Sequence, residues 1–256
     1  MSAESELQAF LRQAERLLVF TGAGISTNSG IPDFRGPQGI WKRRQPVYFS
    51  DFLSSEEARI EHWDYKLESW PSMRDAEPNA AHQAIVELYR AGKLVAAVTQ
   101  NIDGLHQKAG LPEEIVIELH GTNRWIECLT CRRRFEPQPF FDAFASTLRP
   151  PRCPQCSGWL KSATISFGQD LDPRTLQGAE HAAMECDAVV ALGSTLSVYP
   201  AASFPLMAAK RGVPYAIVNR GATEHDGLPE VLIRLDGDVG LIFPKAVESC
   251  LADNSR

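Results

Sequence analysis

No stretch of the 256-residue chain approaches the ~20 apolar residues that a membrane-spanning helix needs, and its apolar runs end in glycine or polar turns. The segment from Met1 to Arg16 alternates charge with Leu7, Phe10, Leu11 and Ala14 at helical spacing, and it lacks the continuous apolar core of a secretory signal. Cysteine is scarce: six residues, four of them in two C-x-x-C pairs, which excludes a disulfide-dense scaffold and suits metal ligation in a reducing compartment. Positive charge is also in deficit. A formal charge of −6 removes any global footprint for nucleic acid, and Lys42-Arg43-Arg44 and Arg132-Arg133-Arg134 read as short solvated loop faces. There is no internal repeat and no low-complexity segment. These absences lead us to expect a cytoplasmic monomer with neither a membrane nor a nucleic acid as partner.

What is present is an alternation. Short apolar runs at Leu17-Phe20, Leu94-Thr99, Ile115-Leu119, Ala188-Leu192, Tyr215-Val218 and Leu232-Leu235 are separated by helical patterns, which predicts an α/β fold with a parallel sheet wrapped by helices. Asn79 reads as the N-cap of a helix over Ala80–Ala91 that stops at Gly92. Two stretches break the alternation. Residues 37–78 are rich in tryptophan, charge and proline, with Ser54-x-x-Glu57 reading as a capping box that opens a helix through Trp63 and Leu67. Residues 122–161 hold all four paired cysteines. The predicted partition is a sheet domain from 1–36, 79–121 and 162–256, with the two insertions packed beside it as a smaller lobe and a cleft between.

Cys128-x-x-Cys131 and Cys153-x-x-Cys156 are separated by 21 residues, a spacing at which two knuckles deliver four thiolates to a tetrahedral zinc. Four sulfur ligands leave no open position for water, so the ion is expected to be structural. Cys186 and Cys250 have no such pattern and read as small buried residues.

Thr21-Gly22-Ala23-Gly24-Ile25-Ser26 follows the first apolar run, where glycines would let backbone N–H groups approach a phosphate at a helix N-terminus. The dinucleotide fingerprint is incomplete, since Thr27 stands where a third glycine is wanted. The continuation Ser29-Gly30-Ile31-Pro32-Asp33-Phe34-Arg35-Gly36 can cover a ligand, with Phe34 shielding a reactive centre and Arg35 offering a fixed cation. The next runs end in Gln100-Asn101-Ile102-Asp103 and in His120-Gly121, which puts amides, a carboxylate and a candidate general base at the carboxyl edge of the sheet. Gly193-Ser194-Thr195 and Asn219-Arg220-Gly221 close two more strands with groups suited to ribose and phosphate contacts. Each segment alone would pass as an ordinary turn. His62, His82, His181 and His225 suggest no partner.

Taken together, these segments resemble the sirtuin family of NAD-dependent protein deacylases. The resemblance also takes in Leu196-x-Val198-x-Pro200-Ala201 and both cysteine pairs, in order, over most of the chain. It implies a Rossmann-like domain with a zinc-bearing small lobe, and a cleft entered by NAD and by an acylated lysine of a protein substrate. It also implies a mechanism in which the acyl oxygen attacks the ribose carbon as nicotinamide leaves. His120 then activates a ribose hydroxyl, and O-acyl-ADP-ribose forms. By position, Asn101 and Asp103 would hold nicotinamide and the reactive ribose, and Ala23 and Phe34 the nicotinamide end. Ser194, Asn219 and Val239 would hold the adenosine end. The same pattern extends the cofactor set to Gly22, Gly24, Ser26, Asp33, Arg35, Gln100, Ile102, Gly193, Thr195 and Arg220, and the substrate set to Phe167, Gly168 and Val198. The chain departs from the family at Lys161-Ser162 and at Gln169, where the family often has glutamate. Gln169 removes any inference about preference for basic residues beside the target lysine.

A rival outcome of the same NAD site is mono-ADP-ribosyl transfer to a protein nucleophile, for which the sequence offers no dedicated acceptor site. A non-enzymatic zinc-dependent binding module is opposed by the presence of His120, Asn101 and Asp103. Within the deacylase reading, an acidic acyl group needs a buried cation, and sirtuins that accept one carry tyrosine and, three residues on, arginine on the helix of the first insertion. The nearest match here is Tyr65 followed by Glu68, with Arg59 and Arg74 on other turns. Matched peptides should therefore give a higher kcat/KM for acetyl-lysine than for succinyl-lysine, and an equal or higher succinyl value would reveal an unrecognised cation in the pocket.

Overall fold

The computed structural model describes residues 3–33 and 45–252. Among these, nine strands are β1 (Leu17–Thr21), β2 (Leu94–Thr99), β3 (Val116–Glu118), β4 (Gly121–Cys128), β5 (Arg134–Phe135), β6 (Leu160–Thr164), β7 (Ala188–Leu192), β8 (Tyr215–Asn219) and β9 (Val231–Asp236). The α-helices are α1 (Ala3–Gln13), α2 (Phe49–Ser54), α3 (Glu56–Asp75), α4 (Ala80–Arg90), α5 (Leu105–Ala109), α6 (Gln138–Thr147), α7 (Pro173–Glu185), α8 (Ser203–Lys210) and α9 (Val239–Ala252). No described helix is long and apolar enough to cross a membrane.

The six predicted apolar runs become one six-stranded sheet of order β3-β2-β1-β7-β8-β9, parallel throughout. Strands β1, β7 and β8 are buried at every residue, because helices cover both faces and neither face can be polar. Leu17, Val19 and Val190 pack toward α1, α4 and α9, whereas Leu18, Phe20 and Val189 pack toward α7 and α8. Each fully buried Leu, Val or Phe contributes ~1.5–3 kcal/mol. The chain runs outward from β1 to β3, then crosses back to β7 on the other side of β1 and continues to β9. That reversal opens a crevice at the carboxyl ends of β1 and β7.

A second sheet, β5-β4-β6, is antiparallel and packs on α3 and α6 around Trp63, Ile126, Phe141, Phe144 and Leu160. The Trp63 indole N–H donates to the Leu160 carbonyl at 3.2 Å, tying the first insertion to the second. The N-cap of α3 is Ser55 rather than the predicted Ser54. Ser54 closes the short α2, with its hydroxyl on the Ser50 carbonyl, so the break falls one residue later and the Ser55 hydroxyl accepts the Ala58 N–H. The glycine loop after β1 also differs from expectation. It forms two turns of 3-10 helix, Ala23–Ile25 and Thr27–Ser29, instead of opening an α-helix.

Asn79 caps α4 as predicted, accepting the Ala81 N–H, while His82 Nδ1 accepts the Asn79 N–H. His82 is buried against His106, with ring centroids 5.2 Å apart. Burial lowers His82 from 6.5 to about 3, helped by the neighbouring His106, and lowers His106 to about 4. The unfolded chain therefore takes up protons below about pH 6.5 that the folded chain refuses, and stability is lost as pH falls through that window. The loss should approach ~1.4 kcal/mol per pH unit for each histidine. Urea midpoints at about pH 7 and about pH 5 should show this fall, and His82→Gln, with no proton to gain, should reduce it. An unchanged pH slope in that variant would contradict the assignment.

Candidate functional site

A cavity of about 870 Å³ opens at the carboxyl edge of the large sheet. Its walls bring together Gly22, Ala23 and Gly24 after β1, Asp33 further along that loop, and Gln100, Asn101 and Ile102 after β2. His120 enters after β3, Phe167 and Gly168 after β6, Gly193, Ser194, Thr195 and Val198 after β7, Asn219 at the end of β8 with Arg220 next to it, and Val239 at the start of α9. Two of the expected contact residues, Ser26 and Asp103, do not line it. They sit behind Asn101. Phe34 and Arg35 lie outside the described residues, as does the Lys42-Arg43-Arg44 cluster.

The glycines also have a task inside the protein. Gly22 N–H donates to the Leu192 carbonyl at 3.0 Å and Gly24 N–H to the Gly193 carbonyl at 2.8 Å, so both amides are used inside the protein. A Cβ on Gly24 would lie 2.8 Å from the Gly193 Cα, and one on Gly193 would lie 2.3 Å from the Ile25 nitrogen. Gly193 also holds φ at 63°, a left-handed conformation that favours glycine. The turns after β1 and β7 thus interlock backbone to backbone.

Across that interlock, Gln100 Nε2 donates to the Ser194 hydroxyl at 2.7 Å, which in turn accepts the Leu196 N–H at 3.1 Å. Asn101, only 6% exposed, donates through Nδ2 to the Gly22 carbonyl at 3.1 Å and to the Ser26 hydroxyl at 3.2 Å. Ser26 passes its own proton to Asp103 Oδ2 at 2.7 Å. Burial pushes the Asp103 carboxyl above its ordinary value, although the Leu105 N–H and the Ser26 hydroxyl pull the other way. The amide of Asn101 is therefore oriented by one carbonyl and one carboxylate-backed hydroxyl.

His120 Nδ1 lies 3.0 Å from the Gln100 carbonyl. A carbonyl only accepts, so the proton sits on Nδ1 and the basic lone pair on Nε2. Behind the imidazole, Ile165 N–H holds the His120 carbonyl at 2.8 Å, and Gly121 takes φ of 70° where a Cβ would strike the Ala163 carbonyl. A histidine fixed in this tautomer at a cavity wall can remove a proton from a hydroxyl.

At the other end, Asp238 accepts from Asn28 Nδ2, from Arg220 and from the Gly240 N–H that opens α9. Sequence reasoning misses Asp238, although an aspartate just ahead of a helix start is an N-cap signal. On the cavity face of α3 it reaches Tyr65 but misses Glu61, His62 and Lys66. Glu68 is not among the lining residues; Arg59 stacks on Trp159 and Arg74 pairs with Asp75. Lys66 is buried, donates to Asn123 Oδ1 at 3.1 Å, and is lowered by that burial to about 8. It is a single donor point with a weakened charge, unlike the fork of an arginine.

The four paired cysteines converge in the small lobe. Their sulfurs all lie within 4.8 Å of one another, with Cys128 to Cys156 at 3.5 Å and Cys131 to Cys153 at 3.8 Å. Tetrahedral thiolates at a Zn–S distance of ~2.3 Å would stand ~3.8 Å apart. The donor set fits zinc.

Residues 22–200 match the Sir2 family profile. The chain is similar to the NAD-dependent protein deacetylase of Rhodopseudomonas palustris, 41% identical with 92% of this chain and 93% of the relative covered. It is similar also to NAD-dependent protein deacylase 2 of Archaeoglobus fulgidus, 40% identical with 93% and 92% covered. Among solved structures, a Sir2 histidine variant with deacetylated p53 peptide and 3'-O-acetyl ADP ribose superposes with a TM-score of 0.86 at 33% identity, covering 97% of each chain. Another, Sir2Tm bound to a propionylated peptide, superposes at 0.84 and 32% identity, covering 95% of this chain and 97% of that one. A sheet whose switch point carries Asn101 and His120 in one cavity, beside a four-cysteine lobe, thus coincides with the extent of these matches, and the chain belongs to the Sir2 family, the sirtuins.

Proposed function

We propose that the protein removes acetyl and other uncharged acyl groups from lysine side chains of proteins, consuming NAD and yielding nicotinamide and O-acyl-ADP-ribose. The observation that carries this reading is the His120 imidazole, held with its basic nitrogen on Nε2 by the Gln100 carbonyl, in the same cavity as the oriented amide of Asn101. The relatives named for deacetylation and deacylation support it, as do the family structures holding O-acetyl ADP ribose and a propionylated peptide.

NAD is a substrate in this reading. Asn101, backed by Ser26 and Asp103, orients the nicotinamide end together with Ala23. Gly193, Ser194, Asn219, Arg220 and Val239 hold the adenosine end. Phe167, Gly168 and Val198 flank the acyl-lysine chain, and His120 takes the proton from a ribose hydroxyl as that oxygen attacks the acyl carbon. Acetyl suits the α3 wall because Lys66 lacks a fork and Glu61 faces the same space. The described part of the first insertion, 45–78, and the second insertion, 122–161, act as one lobe beside the sheet domain, joined by Trp63.

Replacing His120 with alanine should reduce acyl transfer by ~10²–10⁴-fold, with NAD binding by calorimetry and the melting curve little changed. Near-normal turnover by the folded variant would remove His120 from the role of base. Zinc bound by Cys128, Cys131, Cys153 and Cys156 is structural, so its binding energy is folding energy for the small lobe. Elemental analysis should find one zinc per chain, and Cys128→Ala should lower the melting temperature along with activity; active protein purified without zinc would exclude this assignment.

A further inference from the structure

Strands β1 and β2 lie side by side in register, Thr21 opposite Thr99, on the face where Val19 and Ala97 belong to the apolar core. Valine would fill the same space as either threonine with no hydroxyl to desolvate. Instead, two hydroxyls and the His106 imidazole are buried together, at 0%, 2% and 2% exposure. Such groups are costly unless bonded. Thr21 Oγ1 donates to Thr99 Oγ1 at 2.8 Å, and its lone pair faces His106 Nε2 at 2.9 Å. With Thr21 donating to Thr99, His106 carries its proton on Nε2.

The chain of bonds ends on a backbone group. Thr99 Oγ1 accepts the Asn101 N–H at 3.0 Å, two residues beyond the end of β2, where the sheet ladder no longer supplies an acceptor. Between Thr99 and Asn101 lies Gln100, whose carbonyl fixes the His120 tautomer and whose amide reaches Ser194. One buried hydroxyl therefore anchors the turn from which both Asn101 and the partner of His120 project.

We propose that Thr99, held in turn by Thr21 and His106, is a positioning residue that sets the Gln100-Asn101 turn and through it the aim of Asn101 and the tautomer of His120. It rests on the reaction proposed above. The fold could form with Val at this position; the geometry of the turn could not be held the same way, because the Asn101 N–H would lose its acceptor.

The test compares Thr99→Val with Thr99→Ser in the full chain, with Asn101→Ala and His120→Ala as references. Thr99→Val should lower kcat about tenfold, the rate equivalent of one displaced buried hydrogen bond, with the KM for acyl peptide within about twofold of the parent. Thr99→Ser, which keeps the hydroxyl, should recover most of kcat. Nitrogen-15 spectra should show His120 protonated on Nδ1 in the parent and in Thr99→Ser, and a mixed tautomer in Thr99→Val. A Thr99→Val enzyme with parental kcat and tautomer would overturn the proposal, as would a Thr99→Ser enzyme as slow as the valine variant, which would mean packing alone is at stake. If Thr99→Val does not fold, Thr21→Val, which removes the supporting bonds to Thr99 and His106 but leaves the Asn101 N–H its acceptor, should give a smaller loss in the same direction, and no loss would overturn the proposal. Failure of the underlying reading would appear separately, as no NAD-dependent acyl transfer by the parent enzyme, or as undiminished transfer by Asn101→Ala and His120→Ala.

Discussion

The backbone contact between the turns after β1 and β7 is the constraint from which the site follows. Gly24 and Gly193 meet with no side chain between them, and each would collide with the other if it carried a Cβ. This contact fixes two strand ends at the point where the sheet order reverses, and reversal is what leaves a crevice for a ligand. Gln100 and Ser194 then span the join, and Asn101 docks on the Gly22 carbonyl. A side chain at either glycine would force the turns apart and carry Asn101 with them.

Around that contact the interior changes character. The middle of the sheet is apolar on both faces, held by area burial, which has no direction. At its carboxyl edge the same layers become Thr21, Thr99, Ser26, Asp103 and His106, bonded to one another. Directional bonds suit this edge because the Asn101 amide and the His120 imidazole, in the roles proposed for them, must be aimed. The sheet supplies rigidity and the polar edge supplies orientation.

Much of this was legible in the residues. Apolar runs located all six parallel strands because strands buried on both faces must be continuous in hydrophobicity, and C-x-x-C pairs located the cysteine cluster because thiolate geometry restricts spacing. Placement of Ser54 failed by one residue, since two adjacent serines compete for the same cap and only the short α2 decides between them. The glycines stand out in the sequence, but their close approach to Gly193 does not: it is made across about 170 residues of chain, and no local pattern reports it. Likewise, His82 suggests no partner in the sequence, and it meets His106 only through the packing of α4 on α5.

The small lobe poses a separate physical problem. Its sheet has three strands, one of them only two residues long, and its core is a handful of side chains around Trp63. Such a sheet buries too little area to hold itself together. Two devices make up the difference: the four sulfurs of Cys128, Cys131, Cys153 and Cys156, which a shared zinc would bind together, and the Trp63 indole bonded to Leu160. The second device belongs to α3, whose other face carries Tyr65 and Lys66 into the cavity. The cysteine cluster braces β4 and β6, those strands seat Trp63, and Trp63 sets the rotation of α3. The cavity wall formed by α3 is thereby positioned by a cluster that is not among the residues lining the cavity.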